Sequence, residues 1–334
     1  MNILAVIPAR YNSTRFPGKP IRAYIGKSSM IKLTYEQAKK SNVDEVVVAT
    51  DDKRIYEHVL GFGGKVVMTE HFHKTGTERL IEVRKHKDWS DYDAYINVQG
   101  DEPFIDPEQI NEVIKMMELR DYSVATLHAK CESLKDLMDP NIVKQVVSHE
   151  KVLYSSRSPI PWPGKKGDNF DKYEYHVHLG IYGFPKNVLD NIDLDYQPPI
   201  QAIENLEQLN WAAAGIEMYS RLSKWQVGIN TVEDLMRVGG TVADELPYKG
   251  CTNPNSYNYE PNATEDDGSC QLYPEVPKFY KRQFELLPWE TKQKIYGEYR
   301  YYLTDETSKL YPMNNSRLID RFWASRNLNV NDKN

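Results

Sequence analysis

The chain has 334 residues with 42 basic and 48 acidic side chains, a formal charge of −6. With 40% hydrophobic and 27% charged residues, the composition is that of a globular protein with one large domain and a smaller appendage. A mean hydropathy of −0.65 without a long apolar run excludes a membrane-spanning helix, and net acidity argues against general nucleic-acid binding, while leaving room for a local basic cluster that holds a phosphate.

The opening apolar run, ILAVI (3–7), is strand-length and has no basic flank or cleavage site, so no signal peptide is expected. EVVVAT (45–50), KVVM (65–68) and AYINVQ (94–99) are further β-branched runs separated by polar, helix-length segments. That alternation predicts an α/β fold, a mostly parallel sheet with helices on both faces. A helix is predicted after residue 106: Asp106 caps it, Pro107 sits in its first turn, and Ile110, Val113, Ile114 and Met117 recur at helical spacing. In such sheets ligands bind beyond the carboxyl ends of the strands.

Between 123 and 190 the pattern changes to strands: SVATLHA (123–129), IVKQVVS (142–148), KVLYS (151–155) and YHVHLGIYGF (175–184). A tight turn at His149-Glu150 joins the middle pair. This reads as an inserted β-lobe or a subunit contact. A helix near 203–214 and a return strand near 225–229 are expected to close a first domain at 247. Residues 248–270 then form a Cys-bounded, Asn/Asp-rich loop. Residues 271–334 form a small aromatic-rich region, helical over 288–303 with Ile295, Tyr299 and Tyr302 on one face. The three cysteines, Cys131, Cys251 and Cys270, are too few for a disulfide scaffold, which points to a cytoplasmic main body.

Two strand-end loops carry candidate chemistry. IPARYNSTRFPGKP (7–20) holds Arg10, Arg15 and Lys19 among small and turn-forming residues. Arginines fork onto phosphoryl oxygens and lysine supplies a point charge, so the loop suits a polyphosphate; a solvated basic loop is the other reading the spacing allows. It lacks the GxxxxGK[ST] pattern of a Walker A loop. In NVQGDEP (97–103), Asp101 follows a buried strand where a carboxylate can hold Mg²⁺ against phosphate oxygens. Taken alone, the Gly-Asp pair favours the plainer reading, with Asp101 a turn former and Glu102 a surface charge.

These strings, with VATDD (48–52), TGTERL (75–80), SRSPIPW (156–162), HLGIYGF (178–184), ENLEQL (204–209) and VGINTVEDL (227–235), occur in one order over residues 1–240. The ordered set resembles the 3-deoxy-manno-octulosonate cytidylyltransferase (CMP-KDO synthetase) family. The resemblance implies a nucleotide-diphospho-sugar transferase-like fold. It also implies transfer of CMP from CTP to the anomeric hydroxyl of a 2-keto sugar acid, with release of pyrophosphate, as a step of lipopolysaccharide biosynthesis. Carried over residue by residue, it makes Arg10, Lys19 and Asp101 catalytic and places Arg10, Ser13, Thr14, Arg15, Lys19, Thr75, Gly76, Thr77 and Arg79 on the nucleotide. Gln99, Arg157, His178, Tyr182, Glu207 and Gln208 then line the sugar pocket, with Arg157 on the sugar carboxylate. Mg²⁺ is the implied cofactor and a homodimer the implied assembly, without nucleic-acid or membrane partners.

One position departs from the family pattern. Its last motif reads Gly-x-Asp-Thr-x-Glu-Asp-Leu with the Asp as a second metal ligand, and here that position is Asn230. A neutral carbonyl should hold a second Mg²⁺ less well than a carboxylate. Two other readings stay open: the same transfer onto an amino-octulosonate or a sialic acid, and a low-activity nucleotide-sugar-binding or scaffold protein whose tail is the working part. The segment 251–270 resembles a short C-T-x-P…D-D-G-S-C motif of surface and extracellular proteins. A disulfide across it would contribute about 3 kcal/mol, and Glu265, Asp266 and Asp267 offer hard oxygens for Ca²⁺ in what is otherwise a turn-rich linker.

Overall fold

The computed structural model describes residues 1–13, 15–165, 167–226, 228–244, 249–253, 256, 263, 265–266, 268–270 and 291. The chain divides into two units, Met1–Glu245 and Leu246–Asn334. The first half of the first unit runs β1 (Ile3–Ala9), α1 (Lys19–Arg22), β2 (Ala23–Ile25), β3 (Ser28–Ser29), α2 (Met30–Ala38), β4 (Glu45–Thr50), α3 (Lys53–Gly61), β5 (Val66–Met68), α4 (Gly76–Lys85), β6 (Ala94–Asn97) and α5 (Pro107–Leu119). It continues with β7 (Val124–Lys130), α6 (Leu134–Met138), β8 (Lys144–Ser148), β9 (Lys151–Ser156), β10 (His176–Pro185), α7 (Lys186–Asp190), α8 (Pro199–Glu204), α9 (Gln208–Ala213), β11 (Met218–Ser223), α10 (Val232–Arg237) and β12 (Thr241–Val242).

One nine-stranded sheet organises this unit, in the order β5-β4-β1-β6-β10-β7-β11-β9-β8. Strands β5, β4, β1 and β6 are parallel, as the alternating pattern predicts. The period-two alternation of β1 explains the two layers. Ile3, Ala5 and Ile7 face a core with Ile31 and Tyr35 of α2 and Ile55 and Val59 of α3, whereas Leu4 and Val6 face Leu80 and Val83 of α4 and Trp211 of α9. Helix α5 begins as its sequence signals: Asp106 and Gln109 form a capping box around Pro107, and Ile110, Val113, Ile114 and Met117 are buried.

The stretch 123–190 is continuous with this sheet. β10 runs antiparallel between β6 and β7, and the β8–β9 hairpin completes the far side, with β9 pairing with β11 and β8 also pairing with β10. His149 and Glu150 adopt φ of 49° and 64°, the two left-handed residues of a tight hairpin turn. The Glu150 carboxylate receives Arg120 at 2.7 Å and Arg221 at 2.8 Å, fixing the turn to the end of α5 and to β11.

Two expected elements differ. The helix expected over 203–214 is α8 and α9, broken at Asn205, whose φ is 52°. Arg157, just past the end of β9, donates to the carbonyls of Glu204 (3.0 Å) and Asn205 (3.2 Å), capping α8, and Asn tolerates the left-handed region that the break needs. The return strand lies at 218–223 instead of 225–229. Its inward positions are Met218 and Ser220, and a buried serine carries no hydrophobic signal; Ser220 is held by His128 at 2.8 Å.

In the second unit, β13 (Lys249–Gly250) pairs in parallel with β14 (Glu265–Asp266), and Cys251 is disulfide-bonded to Cys270. Both Asp266 carboxylate oxygens are already in use, one accepting from the Thr252 hydroxyl at 2.8 Å and the other from the Gly268 N–H at 2.7 Å. Asp266 therefore stabilises the loop itself. Asp267 lies outside the described residues, as does the helix expected over 288–303 apart from residue 291. Among the described residues no helix is long and apolar enough to cross a membrane.

Candidate active site

Three segments far apart in sequence meet at the carboxyl end of the central strands. The loop after β1 turns on itself, with the Ser13 and Gly18 N–H groups both donating to the Tyr11 carbonyl at 2.9 and 2.8 Å. The buried Tyr11 ring carries the Arg54 guanidinium 3.2 Å from its centroid, and Asp52 holds that guanidinium through both carboxylate oxygens. Gly18, at φ 70°, has no space for a Cβ, which would fall 2.6 Å from the Arg22 side chain and 2.7 Å from the Tyr11 ring. This turn delivers Lys19, the first residue of α1, into the rim.

The Lys19 ammonium is the junction of the site. It donates to Asp101 at 2.9 Å and to the Ile229 carbonyl at 2.8 Å, and the Ile229 N–H returns to the Asp101 carbonyl at 3.0 Å. The loop after β6 and the segment before α10 are thereby joined through one cation. An ammonium has three donors, so one is left for a ligand. Asp101 uses only Oδ2 in these bonds, and its side chain is 30% exposed. Asn230 is exposed; its Oδ1 accepts from Arg15 at 3.4 Å while its N–H donates to Asp234 at 3.1 Å. Arg10 is exposed on the same loop, without a side-chain partner among the described residues. Ser13 accepts the Phe16 N–H at 3.4 Å, and Thr14 lies outside the described residues.

Glu102 departs from the surface charge its sequence allowed. A Cβ at Gly228 would fall 2.5 Å from its carboxylate, and burial, then the neighbouring Asp101, push its pKa up to about 8 against the pull of Lys19.

The second cluster lies beside α4. Thr75 caps that helix by accepting the Glu78 N–H at 3.1 Å, and the Thr77 N–H donates to Glu207 at 3.4 Å. Burial raises the Glu207 carboxyl above the ordinary carboxylate range. Gly76 is required by close approach: a Cβ there would sit 2.8 Å from the Asn97 amide. Arg79 is buried and donates to Asp51 at 3.0 Å, to Thr69 and to the Glu70 carbonyl, so its charge is already matched. Asp51, in the VATDD string, is the partner that sequence reasoning left without a role. A cavity of about 250 Å³ opens here, lined by Thr75, Thr77, Glu207, Asn210 and Trp211; it shares the α4 residues with the predicted site but does not reach Lys19 or Asp101.

On β10, His178 stacks on Tyr182 with ring centroids 5.1 Å apart, and the Tyr182 hydroxyl donates to Gln208 at 3.2 Å. Thr126 gives its hydroxyl proton to the Ile181 carbonyl at 2.7 Å, so His178 Nε2, 3.0 Å away, is the donor toward Thr126. Burial, then the facing His128, hold the His178 pKa down to about 3. Gln99 packs over Gly180, where an added Cβ would lie 3.2 Å from its side chain. Arg157 stands apart from its expected role on a carboxylate: its guanidinium donates to the carbonyls of Glu204, Asn205 and Pro140, and its N–H donates to the Glu204 side chain at 2.9 Å. In this structure it is a brace.

A family profile described as cytidylyltransferase matches residues 4–219. The 3-deoxy-manno-octulosonate cytidylyltransferase of Fusobacterium nucleatum subsp. nucleatum is 40% identical over 241 residues, 71% of this chain and 96% of that protein. The one from Cytophaga hutchinsonii is 40% identical over 247 residues, 72% of this chain and 98% of that protein. A solved CMP:2-keto-3-deoxy-manno-octonic acid synthetase complexed with CTP superposes with a TM-score of 0.65 at 39% identity, covering 71% of this chain and 97% of that one.

Proposed function

The chain belongs to the 3-deoxy-manno-octulosonate cytidylyltransferase family, and from that membership we propose that it transfers CMP from CTP to the anomeric hydroxyl of a 3-deoxy-octulosonate-type 2-keto sugar acid. The hydroxyl oxygen attacks the α-phosphorus and gives up its proton to solvent, the bond between that phosphorus and the bridging oxygen breaks, and pyrophosphate leaves with the electron pair. The observation that carries the reading is the Lys19 ammonium, buried on Asp101 and the Ile229 carbonyl with one donor left at the mouth of a basic loop.

Nucleotidyl transfer depends on positioning and on neutralising charge more than on covalent help. Lys19 meets the departing pyrophosphate, and Arg10 and Arg15 take the outer phosphates. Ser13 and Thr14 complete the cradle, and the first turn of α4 with Thr75, Gly76 and Thr77 faces the nucleoside. Arg79, matched by Asp51, serves by holding α4 to the strand end. Gln99, Tyr182, Gln208, Glu207 and the neutral His178 offer the donors and acceptors that hydroxyl groups of a sugar need. Arg157 shapes the far wall through the α8–α9 break.

The donor set at Asp101 fits Mg²⁺. One carboxylate oxygen lacks a hydrogen-bond partner among the described residues, and no group of three His, Cys, Asp or Glu side chains that could hold a metal occurs among them. A cation held by Asp101 would take its remaining ligands from phosphates and water, as Mg²⁺ does in phosphoryl-transfer sites. When bound it would supply neutralisation of the α- and β-phosphate charge. Asn230, already accepting from Arg15, would add a weak neutral oxygen.

A homodimer and a cytoplasmic location belong to the same reading. Support for the dimer is the pair of outward apolar side chains Leu153 on β9 and Leu222 on β11, each 60% exposed. The test is pyrophosphate release from CTP with Mg²⁺ and a panel of 2-keto sugar acids. Release with an octulosonate-type acid is expected, and folded protein that releases none with any acid sugar overturns the proposal.

A further inference from the structure

Asn97 ends β6, two residues before Gln99 and four before Asp101. It is 0% exposed, and neither its amide nitrogen nor its amide oxygen has a hydrogen-bond partner. Buried polar atoms are almost always paired; of the other β6 residues, Ala94 and Ile96 are apolar and the Tyr95 hydroxyl donates to the Trp89 carbonyl at 2.8 Å. An apolar side chain at 97 would remove an orphaned donor and acceptor from the core at no cost in shape. The carboxamide is therefore a burden on the ligand-free fold.

Its surroundings say what it serves. The Asn97 amide lies close under Gly76, where an added Cβ would fall 2.8 Å from its Nδ2, so the first turn of α4 rests directly on it. Across the ladder its partner is Tyr182 of β10, whose hydroxyl holds Gln208. The residue thus stands under the junction between the turn assigned to the nucleotide and the strand assigned to the sugar. Hydrogen bonds in ligand-free active sites are often incomplete and close only when the ligand draws the parts together.

We propose that Asn97 is a positioning residue for the transfer reaction, its amide finding its hydrogen-bond partners only when substrate seats the Thr75–Thr77 turn against β10. This rests on the functional reading above. In the loaded site the amide locks the α4 turn to the Tyr182 strand and so fixes the nucleotide relative to the sugar hydroxyl. Without ligand it contributes nothing to stability.

Thermal unfolding with and without CTP and Mg²⁺, together with steady-state pyrophosphate release, tests this on Asn97→Leu. The ligand-free variant is expected to melt at or above the wild-type temperature. Its CTP-induced rise in Tm is expected to shrink to less than half, with kcat/KM lowered at least tenfold. A structural role predicts the reverse: a lower ligand-free Tm with the CTP response and kinetics unchanged, and that result overturns the assignment. If Asn97→Leu does not fold, Asn97→Ser is read by the same pair of measurements, and an undiminished CTP response there also overturns it. Wild-type protein without a CTP response or pyrophosphate release would refute the functional reading instead, so the two failures are distinguishable.

Discussion

Lowering the pH from 7 to 5 should withdraw stability through two histidines that the fold keeps neutral. His178 is held down to about 3 by burial and then by His128; His128 is held down to about 4 by burial and then by His176, against the pull of Glu174. Unfolded, both return to 6.5, so the unfolded chain binds protons that the folded one refuses. The stability they contribute is full above pH 6.5 and is lost as pH falls toward their folded values. Between pH 7 and pH 5 the linkage relation gives about 2 kcal/mol for each. His178→Gln keeps an N–H donor for Thr126 and removes one of the two. Urea unfolding at both pH values, followed by tryptophan fluorescence, should show the wild-type loss shrinking by about 2 kcal/mol in the variant. Raised carboxyls such as Glu207 act in the opposite sense, and the comparison between variant and wild type cancels them. Equal losses in the two proteins would refute the assignment of a buried, neutral His178.

Lys19→Met removes the cation that joins Asp101 to the Ile229 segment, and pyrophosphate release should fall by about 100-fold or more in kcat/KM; a loss under tenfold would remove Lys19 from the chemistry. Gly18→Ala meets both a positive φ and a collision at 2.6 Å, whereas Gly26→Ala meets only a φ of 62° with nothing within 4 Å. The Gly18 variant should lose about 1–3 kcal/mol in urea unfolding and the Gly26 variant less, and equal losses would show that the loop yields. Asn230→Asp restores a carboxylate beside Asp101 and should lower the Mg²⁺ concentration for half-maximal rate; an unchanged Mg²⁺ dependence would show that position 230 does not touch the cation.

Local pattern carried much of this protein. The strands at 45–50 and 3–7, the helix cap at Asp106, and the hairpin turn at His149-Glu150 follow from period, propensity and turn chemistry, which act between near neighbours. The ordered motifs over 1–240 named the family, and with it Lys19 and Asp101 as residues of one site. Position in space was decided elsewhere. That Lys19 meets a carbonyl 210 residues away, that Arg79 is neutralised by Asp51, that Arg157 braces a helix break, and that Glu102 is covered by Gly228 are all products of chain segments crossing at one rim. No window of sequence contains both partners of such a contact. The break at Asn205 and the strand through Ser220 are hidden for the same reason: the groups that stabilise them, Arg157 and His128, arrive from segments that only the assembled sheet brings alongside.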